Sequence, residues 1–159
     1  MPPERLGPRP RAGRYDLRVV LDANVFVSAL LSPRGIPAKI LSAWRDERFH
    51  LVMSPAILQE IDRVLRYSKI RRRHRWREER LKSFIEDLAH LTILTPGDLT
   101  LNLIAEDPSD NRYIECAIEG AADYLVSGDQ HLLRLGVHQK TAILTPRAFL
   151  DILKRTPKP

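Results

Sequence analysis

Four acidic residues carry the chemistry this sequence offers. Asp22 follows directly on the apolar run Leu17-Arg18-Val19-Val20-Leu21, and Asp129 follows Tyr124-Leu125-Val126 after Ser127 and Gly128. Asp110 opens one helical stretch, and Glu60 lies within another. A divalent cation such as Mg²⁺ or Mn²⁺ takes hard oxygen ligands. Carboxylates held close together repel one another unless a cation neutralises them. Cation and acids together can orient a water, help it lose a proton and stabilise charge on an attacked phosphate. The chemistry such a cluster could do is metal-assisted attack of water on a phosphate ester.

Each acid also has a plainer reading. Asp22 and Asp129 each precede a helical segment and could serve as its N-cap. Capping does not explain why two acids end two equivalent strands. Asp110 lies in Asp107-Pro108-Ser109-Asp110-Asn111, where capping is again the default and Glu106 and Asp107 compete for any other role. Glu60 is the weakest on pattern. The apolar stripe Ile57, Leu58, Ile61, Val64 and Leu65 is flanked equally by Glu60 and Asp62, so periodicity does not choose between them.

Other chemistries lack their residues. There is no Gly-rich phosphate loop ending in Gly-Lys-Ser/Thr and no Cys/His zinc pattern. His50, His74, His90, His131 and His138 show no pairing at ligand spacing and read as surface or structural. Cys116 stands alone.

The elements that must position the acids alternate. Strands are expected at 17–21, 51–53, 92–94, 124–126 and 141–144. Helices are expected at 25–31, 36–46, from Pro55 with Ser54 as N-cap, at 78–89, from Asp110, and after Thr145-Pro146. Such alternation implies an α/β fold whose mainly parallel sheet is covered on both faces, with ligands at the carboxyl ends of the strands.

Charge is unevenly spread. The net charge is +6, yet residues 63–82 hold ten Lys or Arg against Glu78 and Glu79. Arg71-Arg72-Arg73-His74-Arg75-Trp76-Arg77 offers phosphate donors and an indole able to stack on a base, so Arg71, Arg72, Arg73, Arg75 and Trp76 are candidate RNA-binding residues. A solvated face with Trp76 in the core, or an acidic partner protein, are the rival readings. Residues 1–16, rich in Arg and Pro, read as a flexible leader before a single domain at 17–155. No apolar run suits a membrane span or secretory signal, and the expected location is cytoplasmic.

In combination, three segments resemble the PIN-domain nucleases, especially a bacterial and archaeal group of toxins from type II toxin–antitoxin systems. They are Val20-Leu21-Asp22-Ala23-Asn24-Val25-Phe26-Val27-Ser28-Ala29-Leu30, Asp107-Pro108-Ser109-Asp110-Asn111, and Ala122-Asp123-Tyr124-Leu125-Val126-Ser127-Gly128-Asp129-Gln130-His131-Leu132. The resemblance runs from about Arg18 to Leu153. It implies a three-layer α/β/α sandwich and Mg²⁺- or Mn²⁺-dependent cleavage of single-stranded RNA, leaving a 5′-phosphate and a 3′-hydroxyl. It places the catalytic acids at Asp22, Glu60, Asp110 and Asp129, with Asp22, Asp110 and Asp129 holding metal. It also assigns supporting roles to Asn24, which would orient Asp22, and to Ser127. Family members often carry Thr where this chain has Ala23. Possible partners implied are RNA, an antitoxin protein and a second copy of the chain.

Two rival functions remain at this level. One is an RNA- or protein-binding module on the same fold with weak or lost catalysis. The other is a phosphatase-like enzyme with an Asp nucleophile after the first strand, disfavoured because Asn24 stands where such enzymes carry a second Asp.

Overall fold

The computed structural model describes residues 16–103 and 110–155. Its strands are β1 (Arg18–Leu21), β2 (His50–Met53), β3 (Ile93–Leu94), β4 (Tyr124–Val126), β5 (Val137–His138) and β6 (Thr141–Leu144). Its helices are α1 (Ala23–Leu31), α2 (Ile36–Arg45), α3 (Pro55–Leu65), α4 (Ser68–His74), α5 (Glu78–His90), α6 (Asn111–Glu119), α7 (Gln130–Leu133) and α8 (Pro146–Arg155). The sheet order is β3-β2-β1-β4-β6-β5. All neighbours pair in parallel except β5, which runs antiparallel to β6. Helices flank this sheet as a three-layer α/β/α sandwich.

The order contains a reversal. From β1 the chain steps outward to β2 and then β3, and it returns through α6 to place β4 on the other side of β1. The switch point therefore lies between β1 and β4, where an open parallel sheet leaves a crevice at its carboxyl end. Asp22 and Ser127 stand immediately beyond those two strands. The ladder continues one step further, because the Asp22 N–H donates to Val126 O at 3.0 Å.

The core explains why these strands are continuous apolar runs: Val19, Val20, Leu51, Val52, Leu125 and Val126 are all buried, as strands covered on both faces require. Phe26 from α1 and Phe149 from α8 are fully buried, each contributing about 1.5–3 kcal/mol by removal from water. At the end of α6, Gly120 is needed for close approach to the sheet, since a β-carbon there would overlap Val52 Cγ1. Ser54 caps α3 as expected, accepting from Ile57 N–H at 3.2 Å, with Pro55 in the first turn.

Three features depart from expectation. The β5 strand was not foreseen; its hairpin to β6 turns through Gln139 at φ 53° rather than through an Asn-Gly pair. The basic segment contains its own helix, α4, which ends at Arg75 in a left-handed conformation. Helix α1 begins at Ala23, two residues earlier than expected, because Asp22 caps it. The leader up to residue 15 lies outside the described residues, as do Glu106, Asp107, Pro108 and Ser109.

Candidate metal centre

Asp22 is buried and uses both carboxylate oxygens. Oδ1 accepts the Asn24 backbone N–H at 3.0 Å, and Oδ2 accepts the Ser127 hydroxyl at 2.6 Å. The capping reading is thus true of Asp22, but capping occupies only one oxygen. Asn24 acts here through its backbone; its side chain belongs to an exposed residue. Ser127, completely buried, has a double role: its Oγ donates to Asp22 and accepts from Asp129 N–H at 2.9 Å. One hydroxyl therefore links the ends of β1 and β4.

Asp129 repeats the arrangement of Asp22. Its Oδ1 accepts His131 N–H at 2.8 Å and caps α7. Asp110 differs. It sits at the start of α6, buried, in helical conformation, and its side chain makes no capping hydrogen bond to that helix. The default reading of Asp110 as a side-chain cap does not hold.

Asp110, Asp129 and His131 each bring one ligand atom to within 4.8 Å of the others. His131 was missed by sequence reasoning, which took the histidines as scattered. The signal was present in Asp129-Gln130-His131: a capping Asp orders the first turn of the helix, and the residue two positions on is held beside it. Asp22 stands next to this group through Ser127.

Glu60 joins from α3. The Tyr113 hydroxyl donates to Glu60 Oε1 at 2.5 Å and accepts Ala23 N–H at 3.3 Å, so α3, α6 and the β1–α1 junction meet at one phenol. Asp62, its equal on the helical wheel, pairs instead with Arg66 at 2.7 Å. The structure therefore separates two residues that periodicity could not.

The electrostatics agree with a site short of positive charge. Burial raises the Asp22 carboxyl above its ordinary pKa, and the charges of Glu60 and Asp129 raise it further, against the hydrogen bonds from Ser127 and Asn24. Burial, the Asp22 charge and the bond to Glu60 together push the Tyr113 phenol far above its usual range, so it remains a donor. A set of carboxylate oxygens with one imidazole suits a divalent cation.

The basic block is more neutralised than its composition suggested. Arg66 pairs with Glu78 at 2.6 Å and Arg71 reaches the same carboxylate at 3.1 Å. Among the described residues, no ion pair engages the exposed Arg72, Arg73, Arg75 or Arg77. Trp76 is half-buried, with its ring edge-to-face against His74 and Phe84 and the Arg80 guanidinium 4.0 Å from its centre. No described helix is long and apolar enough to cross a membrane.

Over 148 residues the chain is 30% identical to an uncharacterized protein of Methanocaldococcus jannaschii, covering 87% of this chain and 92% of that one. Residues 18–131 match the PIN domain, a span that begins at β1 and includes Asp22, Glu60, Asp110, Asp129 and His131. The chain belongs to the PIN-domain family.

Proposed function

We propose that this protein is a divalent-metal-dependent endoribonuclease acting on single-stranded RNA, and that it serves as the toxin of a toxin–antitoxin pair. The observation that supports the catalytic reading is the approach of Asp110, Asp129 and His131 to one another, with the Ser127 hydroxyl joining the Asp22 carboxylate to the backbone of Asp129 beside the switch point. The toxin role rests on the resemblance of the sequence motifs alone.

Asp22, Asp110 and Asp129 would hold the ion, and Glu60 would complete the site. When bound, the cation supplies Lewis-acid stabilisation of charge on the scissile phosphate and eases deprotonation of water. The protein's own residues do the rest. Ser127 fixes the direction of Asp22 Oδ2. Tyr113 occupies Glu60 Oε1, which leaves Oε2 as the oxygen that Glu60 can turn to water or cation. Arg72, Arg73 and Arg75, together with Arg71, would grip the RNA backbone, with Trp76 anchoring that block to the core.

The test is cleavage of a single-stranded RNA with added Mg²⁺ or Mn²⁺ by the wild type and by Asp22→Asn. Cleavage by the wild type alone supports the reading. RNA binding with no cleavage under either ion favours a binding module.

A further inference from the structure

The proposed centre differs from an all-oxygen cage in one respect, which bears on the ion it takes. We propose that His131 is a nitrogen ligand of this centre and that it biases the site toward first-row transition ions, Mn²⁺ among them, and against Mg²⁺. The inference rests on the metal-dependent reading above and goes further by assigning a ligand and a selectivity.

His131 is held at the start of α7 by its backbone while its ring stays beside the acids. Its backbone N–H is bound to Asp129 Oδ1, which fixes the start of α7. Its ring is half-exposed, with Nδ1 3.8 Å from the same oxygen. That separation exceeds a hydrogen bond, and among the described residues no other hydrogen bond engages the ring. The imidazole is therefore held beside two carboxylates with its nitrogens uncommitted, and one of its nitrogens lies within 4.8 Å of a carboxylate oxygen from both Asp110 and Asp129. A histidine acting only as a cation for these acids would be expected to close onto one of them.

The chemistry follows from the donor type. Mg²⁺ demands near-octahedral oxygen coordination and keeps its waters, whereas imidazole suits transition ions. Affinity along the series rises from Mn²⁺ through Co²⁺. One nitrogen among oxygens penalises Mg²⁺ relative to all of them.

The test uses the full chain with metals alone, so it does not depend on catalysis. Mn²⁺ and Mg²⁺ binding is measured by calorimetry on the wild type, His131→Ala and His131→Asp, and the Mn²⁺-loaded proteins are examined by pulsed EPR for coupling to ¹⁴N. The expected results are ¹⁴N coupling in the wild type only, and a Mn²⁺-over-Mg²⁺ affinity ratio that falls at least about tenfold in His131→Asp, the scale on which disturbing a ligand's surroundings acts. His131→Asp keeps an oxygen donor, so loss of selectivity with retained binding separates ligand type from site collapse. Metal binding without ¹⁴N coupling, or an unchanged ratio in both variants, overturns the inference and leaves the nuclease reading standing. No binding of either ion overturns both.

Discussion

The Tyr113 hydroxyl is bound to Glu60 Oε1 at 2.5 Å, and this single contact ties the helix carrying Asp110 to the helix carrying Glu60. Removing it should leave the fold intact while freeing the Glu60 carboxylate. Tyr113→Phe is predicted to lower kcat about tenfold or more with KM little changed, the pattern of a contact that matters in the transition state. Loss of a hydrogen bond to a charged group should cost ~1.5–3 kcal/mol of stability. Steady-state kinetics with a labelled RNA and denaturant melts check both. A raised KM at constant kcat would assign Tyr113 to substrate binding instead.

Ser127 is the other junction. Ser127→Ala removes a donor from Asp22 and an acceptor from the Asp129 N–H, leaving buried polar groups unmatched. We expect a loss of about 1–3 kcal/mol in stability and of about 10–100-fold in metal affinity, read by denaturant melts and calorimetry. Unchanged metal affinity would place Ser127 outside the support of the site.

Asp22 should show opposite effects on stability and function. Burial, with the Glu60 and Asp129 charges, holds its folded-state pKa above the ordinary 3.8. The unfolded chain therefore releases this proton at lower pH than the folded chain. The stability contributed by the protonated group is complete below about 3.8 and is lost as pH rises through the raised folded value. In metal-free solution at neutral pH, Asp22→Asn should melt a few degrees above the wild type, and the gap should close on acidification. Added Mn²⁺ should raise the wild-type midpoint more than that of the variant. A metal-free variant that melts below the wild type at neutral pH would contradict the repulsion described here.

The basic block predicts a salt signature. Arg71 is already engaged by Glu78, whereas Arg72 and Arg73 are not paired with any described acid. Replacing Arg72 and Arg73 by Ala should reduce the slope of log affinity against log salt by about 1.4, or 0.7 for each phosphate contact on a single strand. Arg71→Ala alone should change it less. Fluorescence anisotropy with a short single-stranded RNA across a salt series measures both. Equal slopes in all three proteins would remove this block from the RNA path.

The parts of this account legible in the sequence were those set by local pattern. Two buried apolar strands, each ending at an acid, announced both the parallel sheet and the place where Asp22 and Asp129 would meet, because parallel strands put their carboxyl ends on one edge. Glu60 was not legible from periodicity, which gives Glu60 and Asp62 the same angle to the apolar stripe; the family resemblance alone favoured it. In the structure tertiary contact distinguishes them, through Tyr113 for one and Arg66 for the other. His131 was legible in part: its place beside Asp129 follows from the local cap, but its approach to Asp110 spans 21 positions of sequence, and one-dimensional spacing reports nothing at that range. The β5 edge escaped because a two-residue strand has no alternation to detect. The number of unengaged cations in the basic block was overestimated, because in space Glu78 contacts both Arg66 and Arg71 and Asp62, outside the block, also binds Arg66.

The most direct measurement is cleavage of a 5′-labelled single-stranded RNA by metal-stripped protein, with and without restored Mn²⁺ or Mg²⁺, for the wild type and Asp129→Asn. The account predicts cutting only after metal is restored, products ending in a 3′-hydroxyl, and a loss of at least about 100-fold in the variant, the scale of removing one charge-stabilising group from a catalytic site. Undiminished cutting in chelator, or equal rates in the two proteins, would contradict it.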